Sequence, residues 1–122
     1  MLIKSLLNLN GGVSFGKEHE TAALSGNYDN FSIGDLPSVS VLVFNLTGDT
    51  KIRGLVSTNV NDWQVWLVVN NSDKKLKFEY NKGSSLADNR FTGDKAFDIK
   101  KNSPSWIMRN PKNNKFLVFK AD

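Results

Sequence analysis

Ser38-Val39-Ser40-Val41-Leu42-Val43-Phe44 alternates small polar and branched apolar residues, then closes as a continuous apolar run. That pattern reads as a β-strand with at least one face in a core. Upstream, Gly12 to Phe15 and Thr21 to Leu24 look like short strands, and Leu2 to Leu9 fits either a strand or a short turn of helix. Downstream, Thr47-Gly48-Asp49 reads as a tight turn into Lys51-Ile52-Arg53-Gly54-Leu55-Val56. Trp63-Gln64-Val65-Trp66-Leu67-Val68-Val69 is apolar enough for a central strand, and Asn70-Asn71-Ser72-Asp73 turns the chain into Leu76 to Tyr80. Ala96 to Ile99, Ser105 to Met108 and Phe116 to Phe119 complete the set. Short strands separated by Gly, Asn, Asp and Pro predict an all-β fold, a single antiparallel β-sandwich spanning residues 1–122. Two Greek-key halves, near 11–45 and 63–100, are compatible with that expectation.

Composition narrows the function. The 122 residues suffice for one domain with its own core. There is no cysteine, and His19 is the single histidine. A zinc site built from Cys and His within one chain is therefore excluded. Ser-His-Asp chemistry would have to use His19, and no Gly-x-Ser-x-Gly elbow accompanies it. His19 lies in Lys17-Glu18-His19-Glu20, which reads as an exposed charged turn. Glu18, Glu20 and Glu79 are the only glutamates, and nothing marks out a catalytic carboxylate pair. Gly11-Gly12 lacks the Lys-Ser/Thr of a phosphate loop. The expectation is a binding or structural protein, not an enzyme.

The net charge is +4, carried mainly by thirteen dispersed lysines. Dispersal argues against nucleic acid, whose binders cluster their cations. It leaves an acidic protein, a membrane surface or a carbohydrate as partners, and a homo-oligomer open. Lys74-Lys75-Leu76-Lys77 reads as a solvated turn and strand edge that resists edge-to-edge pairing. No apolar run reaches the length of a signal-peptide core or a membrane span. The expected location is cytoplasmic, or outside the cell without a recognisable leader. Three sequons (Asn30, Asn45, Asn70) are expected by chance among 15 asparagines.

One heptapeptide occurs twice. Asp29-Asn30-Phe31-Ser32-Ile33-Gly34-Asp35 is echoed by Asp88-Asn89-Arg90-Phe91-Thr92-Gly93-Asp94. Asp and Asn close turns on their own backbone, and their oxygens are the hard ligands calcium prefers. A structural loop used twice accounts for the same residues. A duplicated glycine, polar loop and strand resembles the βγ-crystallin double Greek-key domain. That resemblance implies a calcium site in each loop, with Asp29, Asn30 and Asp35 in one and Asp88, Asn89, Thr92 and Asp94 in the other. Gly93 stands where the family's motif has Ser, and Ser32 is one place early. Trp66-Leu67-Val68-Val69-Asn70-Asn71-Ser72 with Lys75-Leu76-Lys77 resembles a hairpin of aegerolysin- and actinoporin-like cytolysins. The alternative function is accordingly lectin-like or membrane-active, using Trp63, Trp66 and Trp106.

Overall fold

The computed structural model describes residues 15–120. The readings of Leu2 to Leu9 and of nearly all of Gly12 to Phe15 lie outside them. Eight strands follow in order: β1 (Glu18–Tyr28), β2 (Val41–Ile52), β3 (Gln64–Asn70), β4 (Leu76–Phe78), β5 (Phe91–Thr92), β6 (Asp98–Ile99), β7 (Ser105–Asn110) and β8 (Lys115–Lys120). The β2 strand starts inside the run quoted above. It does not stop at Thr47-Gly48-Asp49, which lies within the strand rather than in a turn. Even-numbered β2 residues Leu42, Phe44, Leu46, Thr50 and Ile52 are buried, while Thr47, Asp49 and Lys51 are exposed. This alternation, interrupted at half-buried Gly48, is what a strand with one core face requires.

The pairing overturns the sandwich. All eight strands belong to one sheet, with β1, β3 and β4 each parallel to β2. Val41 pairs with Leu67 and Thr50 with Leu76, a constant offset of 26 residues. Glu18 pairs with Val41, and Tyr28 with Ile52. Each circuit of chain therefore returns on top of the one before, and the fold is a β-solenoid of about four turns. The expected β-sandwich, its Greek-key halves and both family resemblances are corrected by this finding. Greek keys are built from antiparallel neighbours, whereas these rungs stack in parallel. Antiparallel pairing enters late, where β7 joins β3, β6 joins β4, and β7 and β8 form a hairpin.

The interior is filled by side chains stacked rung on rung. Tyr28, Ile52 and Phe78 occupy one ladder, and Leu42 and Val68 another. An aromatic spine crosses the turns. Phe31 meets Phe44 at 6.3 Å, Phe44 meets Phe78 at 5.8 Å, and Phe78 meets Phe91 at 4.7 Å between ring centroids. Phe116 continues it to Trp66. Asn70 is buried where β3 turns toward β4, and its amide donates to the carbonyls of Lys74 and Ile99. Among the described residues, the five non-glycine residues at positive φ are all asparagines: Asn30, Asn59, Asn81, Asn102 and Asn114. Asn tolerates the left-handed conformation that sharp corners demand.

Phe78 is fully buried at the centre of the spine. Phe78→Ala should lower the unfolding free energy by about 3–5 kcal/mol, because it leaves a cavity between stacked rungs. Urea denaturation followed by tryptophan fluorescence measures it.

Candidate functional site

The two echoed loops meet. Asn30 closes the corner after β1, at φ 46°, and its Oδ1 accepts from the Leu86 amide (2.8 Å) and from Asn89 Nδ2 (2.9 Å). Asn89 Oδ1 in turn accepts from the backbone amide and hydroxyl of Ser57, at 3.0 and 2.9 Å. Ser85 Oγ accepts from the Asn30 amide, and Ser84 donates to Asp29 Oδ1 at 2.7 Å. The equivalent asparagines of the echo thus form one lock. It ties the first corner, the segment after β2 and the loop before β5. Gly54 sits against it: a Cβ there would lie 2.6 Å from Ser85 Oγ and 2.9 Å from the Asn89 carbonyl.

Of the seven residues expected to hold calcium, Asp29, Asn30 and Asn89 have side-chain oxygens engaged in this lock. Asp29 also lies 3.8 Å from Arg53, whose Nε donates to Glu79 at 2.9 Å. The Arg53 guanidinium holds the Glu79 carboxyl below its ordinary pKa, against an opposing effect of burial. Asp35 pairs instead with His19, Nδ1 to Oδ1 at 2.8 Å. Asp88 is exposed, and its carbonyl accepts from Arg109 at 2.7 Å. Thr92 is half-buried in β5, and Asp94 is exposed near Tyr80. Burial, then the Asp94 charge, raises the Tyr80 phenol above its ordinary value. Among the described residues no three of His, Asp or Glu are gathered closely enough to hold a metal ion.

The tryptophans separate. Trp66 is fully buried and donates its indole N–H to the Leu36 carbonyl at 3.0 Å. Trp63 stands exposed just before β3. Trp106 is buried although it lies on the outer side of β7, where Phe15 sits 6.1 Å away.

That outer side is a feature the sequence reading missed. Pairing aligns Glu18, Val41, Leu67, Trp106 and Phe119 in a row across β1, β2, β3, β7 and β8. Beside it run Glu20–Val43–Val69 and Val65–Met108–Leu117. The aliphatic residues of these rows are half-buried, and the two glutamates at the β1 edge are exposed. The continuous apolar run in Trp63 to Val69 was the visible signal. Both faces of that strand are apolar, so it reads as a central strand whether or not its outer side is covered.

Two predictions follow from the lock and its ion pair. Asn89→Ala should destabilise by about 1–3 kcal/mol, since it strands the Ser57 donors and half of the Asn30 contacts. Asp88→Asn, its exposed neighbour, should stay within roughly 0.5 kcal/mol. A folded-state pKa below the unfolded value means Glu79 stabilises above the ordinary carboxylate pKa. That contribution fades as pH falls through the depressed folded value. Glu79→Gln should therefore lower Tm at neutral pH, and the gap from the parent should close in acid. Calorimetry across that range reads both curves.

No family model, curated protein or solved structure significantly matches the chain.

Proposed function

We propose that this chain is a non-enzymatic docking module that holds a short peptide segment of a partner protein on the outer face of β2, β3, β7 and β8. The observation that carries the reading is the row Val41–Leu67–Trp106–Phe119, apolar on four successive strands and ended by Glu18. The row is half-buried at Val41, Leu67 and Phe119 and covered at Trp106, where Phe15 lies. A water-facing strand surface normally alternates to polar, and contiguous apolar patches mark interaction sites. The opposite wing behaves in the ordinary way: Thr47, Asp49 and Lys51 point outward from the same strand β2.

Charge selects the occupant. Glu18 and Glu20 continue two of the rows onto β1, so the apolar surface has an acidic border there. Glu20 also accepts from Asn45 at 3.0 Å, which holds its carboxylate in place. A segment that alternates apolar and basic side chains satisfies both features: its apolar side covers the valines and leucines, and its cations meet the glutamates. The chemistry of the site supports binding rather than catalysis, because its side chains offer neither a nucleophile nor a general base beyond these bordering carboxylates.

The test is a titration of the full chain with a capped hexapeptide of alternating lysine and leucine, followed by methyl NMR. Saturable shifts confined to Val41, Val43, Leu67, Val69, Met108 and Leu117 are expected. The Glu18→Gln/Glu20→Gln double variant should weaken binding by about tenfold, in keeping with loss of close charge pairs. Absence of saturable shifts would overturn the proposal. So would equal binding of a glutamate–leucine peptide.

A further inference from the structure

The apolar face is not the only surface with unassigned chemistry. On the other side of β7, where the β6 wing departs from the β7–β8 hairpin, a cleft of about 440 Å³ is lined by Phe97, Lys100, Ser103, Ser105 and Lys120, with Asp98 and Pro104 completing it. That volume is within the range of small-molecule sites, roughly 300–1,000 Å³. We propose that this cleft binds a small organic phosphate, with Lys100, Lys120, Ser103 and Ser105 receiving the phosphate and Phe97 and Pro104 flanking its organic part.

The charge balance of the corner leads to this assignment. Of its carboxylates, Asp98 lies 3.6 Å from Lys77, and Asp73 lies 3.6 Å from Lys101. Neither Lys100 nor Lys120 has a carboxylate within ion-pair distance among the described residues. Both line the cleft, which is thereby left net positive. The Lys120 ammonium is held 5.3 Å from the Phe97 ring centroid. That cation–π contact positions the charge at the wall without neutralising it.

The floor supplies hydroxyl donors. Ser105, only 2% exposed, lines the cleft from below. A serine hydroxyl is both donor and acceptor, and it can donate to a phosphate oxygen seated in the cleft. Lys100 and Ser103 are set on the same rim by a turn in which the Ser103 amide donates to the Lys100 carbonyl at 3.1 Å. Asn102 closes that turn at φ 66°. The rim is therefore fixed by backbone geometry. Two cations and two hydroxyls match an oxyanion with several acceptor oxygens, while the ring and the proline suit an apolar substituent.

The experiment titrates the full chain with phenyl phosphate, inorganic phosphate and phenol, reading amide shifts of residues 97–105 and 120. Phenyl phosphate should bind saturably and more tightly than inorganic phosphate, and phenol should not bind. Lys100→Gln/Lys120→Gln should weaken phenyl phosphate by at least about tenfold, and Ser105→Ala by several-fold. The unchanged melting temperature of the lysine variant, whose side chains are exposed, serves as the folding control. Phenol binding as well as phenyl phosphate would overturn the assignment, as would shifts spread over Lys51, Lys74 and Lys75 that survive in the lysine variant. Lack of saturable binding by either phosphate would also overturn it. None of these outcomes depends on the peptide titration of the opposite face.

Discussion

The register of β2 is the constraint on which the rest of the molecule depends. This one strand carries β1 along one edge and both β3 and β4 along the other. Its twelve residues therefore determine the phase of three turns of the coil. A slip by one residue would turn Leu42, Phe44 and Ile52 to water and bring Val43, Asn45 and Lys51 inside. The aromatic spine resists such a slip, since Phe44 contacts Phe31 on one rung and Phe78 on the next. The lock at the corner resists it from outside, because Leu55, just past β2, donates its amide to the Asn89 carbonyl at 2.9 Å.

The same strand also divides the outer surface. Its first half points Val41 and Val43 outward, and its second half points Thr47, Asp49 and Lys51 outward. Stacked rungs copy that division. Val65, Leu67 and Val69 extend the apolar half through β3, while Lys77 extends the charged half through β4 and meets Asp98 of β6. A single alternation inside one strand thus becomes two chemically distinct sides of a solenoid. The cleft at Phe97 lies at the seam between them. Ser105 turns inward to that cleft, and its neighbour Trp106 turns outward to the apolar rows, because successive side chains of a strand face opposite ways.

The β content was legible because alternation is local. Val39 to Leu42 shows it within a few residues, Phe116 to Phe119 is a short apolar run of strand length, and the Asn-rich corners bound the strands. Parallel stacking was not legible that way. The partner of Val41 is 26 residues further on, and a strand's own pattern does not state whether its neighbour runs with it or against it. A weak signal existed: Thr50-Lys51-Ile52 and Leu76-Lys77-Phe78 place a lysine between two buried residues at the same rung position. The Asp-Asn echo drew the eye instead, and its spacing does not match the turn of the coil. The echoed loops are related by contact with each other, not by equivalent positions on stacked rungs. Reading them as two separate ligand sites missed that each asparagine answers the other.

That reciprocity gives the asparagines of these corners a structural role. A cysteine-free solenoid needs cross-links between turns that its short strands β4, β5 and β6 cannot supply alone. A carboxamide serves this purpose where a carboxylate would not. It both donates and accepts, so Asn89 accepts two hydrogen bonds from Ser57 while donating one to Asn30. It carries no charge to desolvate, and burial of an unpaired charge is the costlier alternative. Asp29 and Asp88, one residue earlier, remain at the exposed side of the same corners, and Arg53 lies 3.8 Å from Asp29. The order Asp-Asn is thus an outside-inside pair: the acid keeps the corner soluble and the amide fastens it. That chemistry is consumed within the fold, so the two proposed binding surfaces lie away from it: the apolar rows of the outer face, where Phe15 meets Trp106, and the cleft, where Phe97 meets Lys120.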